Sequence, residues 1–150
     1  MVLAVIAVLA GGLFHALLRY EELAEKTAVD MTIRNLRSGL RWQIAERLLR
    51  GSPTETAALV GANPIGWLER PPDGYIGEHA GPSADLPRGS WYFDTDSREL
   101  AYRPNLTLHF EAPAGRSDEI RWRVIARRRG NLVLSAEGLT LDETTQYRWF

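Results

Sequence analysis

The chain has 150 residues, 18 basic and 19 acidic side chains and a formal net charge of −1. Such a balance excludes a broadly basic nucleic-acid binder, and 45% hydrophobic content excludes wholesale disorder. The absence of cysteine removes disulfide frameworks, thiolate metal sites and thiol nucleophiles together.

The averages conceal a sharp division. Residues 1–18 contain 15 apolar residues, two glycines, His15 and no formal charge, so all 37 charged residues fall in the other 132. Eighteen helical residues at ~1.5 Å each span about 27 Å, close to a hydrocarbon core. Arg19 and Tyr20 follow directly and are interfacial residue types. A cleaved export signal should begin with basic residues and end at a helix-breaking site, and neither is seen here. The expectation is a membrane-spanning segment over 1–18 rather than a signal or a buried core helix.

The helical pattern then continues. Val29, Ile33, Leu36, Leu40, Ile44 and Leu48 recur at steps of three and four, which predicts one apolar stripe over 19–50 that packs on a sheet. Glu22–Lys26, Asp30–Arg34 and Glu46–Arg50 are acid-first pairs four residues apart. Gly51 and Pro53 stop the helix, and Gly39 is either a weak point in it or a site of close contact. Interleaved acids make the arginines of this stretch a solvated face rather than a phosphate stripe.

Residues 51–89 carry Pro53, Pro64, Pro71, Pro72, Pro82 and Pro87 and read as an irregular region. Short helical turns are expected at 54–60 and after Asn63-Pro64, and 70–88 is expected to be irregular, packed through Tyr75 and Ile76. Residues 90–150 read as strands. Residues 90–94 and 98–103 form a hairpin, 119–127 alternates apolar and basic residues, 132–137 answers it, and 105–111 adds another strand. Tyr147–Phe150 is expected to tuck against the sheet. The fold class predicted is α+β: a long helix on a four- or five-stranded antiparallel sheet.

No catalytic motif stands out, so no enzyme, cofactor or metal is expected. His15, His79 and His109 have no partner at ligand spacing in the sequence. Asp94, Asp96 and Glu99 read as turn chemistry rather than a calcium loop. Asp142-Glu143 and Arg127–Arg129 read as solvated charge.

Residues 1–10, residues 21–26, the amphipathic continuation to Arg50 and the hairpin Trp91-Tyr92-Phe93-Asp94 with residues 99–103 together resemble the type IV pilin and type II secretion pseudopilin family. The family's N-terminal peptidase motif and the assembly glutamate that follows it have no counterpart here. The resemblance implies a structural subunit held in the bacterial inner membrane as a single-pass protein, its C-terminal domain periplasmic. It implies other pilin-like subunits as partners, no nucleic acid, and a prepilin peptidase and N-methylation acting on any longer precursor. Val2, Val5, Ile6, Leu9, Leu13 and Leu17 are the residues expected to mediate membrane retention and helix assembly. The alternative expectation is a membrane-anchored periplasmic binding or sensor module that uses 51–89 as its ligand surface.

Overall fold

A computed structural model describes residues 2–51, 53–81, 85–112, 118–127 and 138–150. One helix, α1 (Val2–Leu49), leads into two 3₁₀ helices, Pro53–Leu59 and Pro64–Trp67. Among the described residues seven strands follow: β1 (Tyr75–His79), β2 (Ser90–Asp94), β3 (Glu99–Arg103), β4 (Phe110–Glu111), β5 (Ile120–Ala126), β6 (Leu139–Glu143) and β7 (Arg148–Trp149). At the standard rise α1 is about 72 Å long.

The helix is continuous because no proline interrupts residues 2–49. It ends where Gly51 takes φ 73° and its N–H donates to the Leu48 carbonyl at 3.0 Å. Pro64 opens the second 3₁₀ helix, capped by the Asn63 side chain, which accepts from the Ile65 N–H at 3.1 Å.

The main sheet has the order β1-β2-β3-β5-β6, and β4 and β7 form a separate two-stranded sheet. The expected all-antiparallel sheet is corrected to a mixed one, because β1 pairs parallel with β2 while the other neighbours are antiparallel. The α+β layout, a long helix laid on a sheet, is as expected. Residues 70–88 are corrected too, since they contain β1. Its sequence, Tyr-Ile-Gly-Glu-His, carries too little apolar alternation to signal a strand. The described partner of β5 is β6; the expected strand at 132–137 and the turn at 128–131 lie outside the described residues.

Strand alternation divides the main sheet. Trp91, Phe93, Leu100, Tyr102, Ile120, Trp122, Val124 and Leu141 form the buried face that meets Val29, Ile33, Leu36 and Leu40 of α1. Ile44 is partly buried against this core. Leu48 is corrected: it is exposed, because the helix has run past the sheet by its last turn. Gly39 sits beneath Trp67, whose Cβ lies 3.0 Å from where a Cβ on Gly39 would be. The expected close contact is therefore between α1 and the second 3₁₀ helix.

Candidate functional site on the projecting helix

Only the second half of α1 is covered by the domain. In its first turns Val2, Leu3, Val5, Ile6, Val8, Leu9, Leu13, Phe14 and Leu17 are 52–83% exposed. This segment is long and apolar enough to cross a membrane, and none of it is buried within the chain. The assembly candidates Val2, Val5, Ile6, Leu9, Leu13 and Leu17 all lie on it. Exposing nine such side chains costs on the order of 20 kcal/mol against burying them. That exceeds the whole stability of an ordinary domain, about 5–15 kcal/mol.

Where the helix enters the domain, two carboxylates fasten it. Glu22 is fully buried. Its Oε1 accepts from the His109 backbone N–H at 2.9 Å and from Trp149 Nε1 at 3.1 Å, and its Oε2 lies 2.8 Å from His109 Nδ1. Phe150 stacks on the His109 ring at 4.7 Å. One turn on, Glu25 accepts from the Tyr102 hydroxyl at 2.7 Å and from the N–H groups of Asn105 and Leu106 at 2.5 and 3.0 Å. Burial alone would raise the Glu22 pKa, but the hydrogen bonds from His109 and Trp149 outweigh it and hold the carboxyl below its ordinary value. The expected Glu22–Lys26 pair is therefore corrected. Lys26 pairs with Asp30 at 2.8 Å instead, so Asp30 does not serve as a simple partner of Arg34. The Glu46–Arg50 pair is present.

The collar was legible in principle. Glu22 stands seven residues before Val29 and eleven before Ile33, on the stripe that faces the sheet. An acid on an apolar stripe is itself a signal of a buried partner. His109 gave no such signal, because its partner is 87 residues away. The C-terminal residues do tuck in, with Trp149 buried, but β7 pairs with β4 rather than with the main sheet. Of the expected strand at 105–111, only Phe110–Glu111 pairs.

The far face of the sheet carries a second polar cluster. Arg121 reaches Asp94 at 2.9 Å, Glu119 at 2.9 Å and Glu99 at 3.3 Å, and donates to the Tyr92 hydroxyl at 2.8 Å. Asp94 Oδ1 also accepts from the N–H groups of Gly81, Asp96 and Ser97. Burial would raise the Asp94 pKa, yet the bonds from Arg121 and Ser97 bring it down to about 2. The bonds of Asp94 to the Asp96 and Ser97 N–H groups are turn chemistry, whereas the ion pairs of Asp94 and Glu99 with Arg121 tie the turn to β5, a link not read from Asp94, Asp96 and Glu99 in the sequence. Among the described residues, no group of three His, Asp or Glu side chains is placed to hold a metal ion.

A groove of about 640 Å³ runs beside α1, between Glu25, Val29 and Gly39 on the helix, Trp67 and Pro71 on the following segment, and Tyr102 on β3. His15 is exposed on the projecting helix, and Asp142 pairs with Arg127 at 2.7 Å. No protein-family model, curated protein or solved structure matches this chain.

Proposed function

We propose that the chain is a pilin-like or pseudopilin subunit of a type II secretion or type IV pilus filament. It is anchored in the bacterial inner membrane by the first turns of α1, with the sheet domain on the periplasmic side. The observation that carries this reading is the exposed apolar segment, which is rigidly continuous with the sheet-packed half of the same helix. Lipid satisfies that surface while the subunit waits. Neighbouring helices satisfy it after assembly, where the gain is mostly close packing rather than hydrophobic burial. The Glu22 and Glu25 collar supports the same reading, because it holds the domain at a fixed place on the helix just beyond the apolar run. Other pilin-like subunits are the partners, and a prepilin peptidase acts on any longer precursor.

Leu9→Arg combined with Leu13→Arg tests the anchor. Each arginine at mid-membrane costs about 3 kcal/mol, so the pair lowers partitioning by roughly four orders of magnitude. The variant is expected to leave the alkali-resistant membrane pellet; its retention there contradicts the anchor. Intact mass and N-terminal sequence of protein isolated from its membrane then separate the subunit from an anchored binding module. A processed, N-methylated terminus supports the subunit, and an unmodified start at Met1 favours the module, whose ligand surface would be the groove beside Trp67.

A further inference from the structure

From Ala28 to Leu49 the face of α1 that turns away from the sheet is uncharged; the exposed Glu21, one heptad earlier, lies outside this stretch. Counting heptads with Ala28 at an a position, the a residues are Ala28, Asn35, Trp42 and Leu49. The d residues between them are Met31, Ser38 and Ala45. Every one of these is exposed, Trp42 to 70% and Leu49 to 89%. The charged residues of the same stretch, Asp30, Arg34, Arg37, Arg41, Glu46 and Arg47, all lie off this seam. The sheet-facing residues Val29, Ile33, Leu36 and Leu40 take b and f positions, so the sheet leaves the seam uncovered, while Ala28 and Asn35 also line the groove beside Trp67.

We infer that this seam pairs with the same seam of a second copy of the chain, parallel and in register. The charge pattern selects the occupant. Arg41 is a g residue, and Glu46, five residues on, is the e residue that a g side chain meets across a parallel pair. Within one chain Arg41 donates to Ser38 Oγ at 3.3 Å, and one oxygen of Glu46 binds Arg50 at 2.5 Å, which leaves the second oxygen for the neighbour. The other flanking positions, Thr27 with Thr32 and Arg34 with Gly39, bring no like charges together. An antiparallel pair opposes like flanks, setting Arg41 against arginine and leaving Glu46 without a cation across the seam. Asn35 at an a position favours two strands in one register.

The seam is about 33 Å long and only Met31, Trp42 and Leu49 are large and apolar, so it is weak between free chains. The inference therefore rests on the membrane reading, which confines both copies to one plane, fixes their parallel direction and raises their effective concentration.

The chain has no cysteine, so a single introduced one reports alone. Full-length Ser38→Cys in membranes is expected to form a disulfide-linked dimer on mild oxidation, because d residues face each other within disulfide reach. Arg37→Cys, one residue away on the sheet-side flank, is expected to cross-link several-fold less. Adding Arg41→Glu to Ser38→Cys should cut the dimer several-fold, and adding Glu46→Arg to that should restore it. No Ser38→Cys dimer, equal cross-linking at position 37, or indifference to the charge exchange overturns the seam. The membrane pellet is scored on the same samples. Protein absent from it overturns the anchor, whereas anchored protein that does not cross-link overturns the seam alone.

Discussion

Glu22 concentrates the chemistry of this chain in one side chain. A fully buried carboxylate is stable only when donors saturate it, and three donors from His109 and Trp149 do so. Glu22→Gln keeps the shape but turns an amide donor toward other donors, so it is expected to cost about 1–3 kcal/mol in chemical denaturation. Its folded pKa lies below the ordinary value of 4.5. The stabilisation is thus complete above that value and is lost as pH falls through the lowered one. Asp94 follows the same sign, with its contribution present above 3.8 and lost as pH falls towards about 2. Asp94→Ala removes one of the three carboxylates around Arg121 and leaves three backbone donors without their acceptor, and should cost about 1–3 kcal/mol near neutral pH. The gap between this variant and the parent in urea midpoint should narrow as pH drops below 3.8. A gap that stays constant from pH 3.8 down to about 2 contradicts the ionised Asp94–Arg121 pair.

Helix α1 does two jobs with one period. Where the stripe meets the sheet, Leu36 is wholly buried, and Leu36→Ala is expected to destabilise by about 2–5 kcal/mol. Leu48, one turn beyond the sheet, should change stability by under about 0.5 kcal/mol when truncated to alanine. Equal losses at the two positions would mean that the sheet extends further along the helix than described. The helix, its stop at Gly51, the β2–β3 hairpin and the apolar face of β5 were all legible in the sequence, because each is a local pattern of period or turn chemistry. Strand β1 was not: Gly77 and Glu78 dilute its alternation, and its parallel pairing to β2 has no local signature. Strand β6 was hidden because Asp142 and Glu143 read as solvated surface, although Leu141 is buried. The candidate assembly residues were legible as a block of composition. Glu22 was legible as an acid on the apolar stripe, but its partners in the collar and the Arg121 cluster were not, since they join residues as far as 127 positions apart.

At the scale of the molecule, the design is a sheet domain clamped near the middle of a rod about 72 Å long. One half of the rod is buried on a single side. The first third is apolar all round and uncovered. The cost of leaving that surface in water, on the order of 20 kcal/mol, is what supports the proposed lipid or neighbouring helices around it. The clamp begins within one turn of Tyr20, so in the proposed arrangement the domain would rest close to the membrane surface. The central claim, that the first turns of α1 lie in lipid with the domain outside, is tested most directly by cysteine labelling in this cysteine-free chain. Ala10→Cys and Thr27→Cys would each be treated with a membrane-impermeant maleimide in intact spheroplasts. The account predicts that position 27 labels readily and position 10 only after denaturation. Equal labelling of both in the intact state would contradict it.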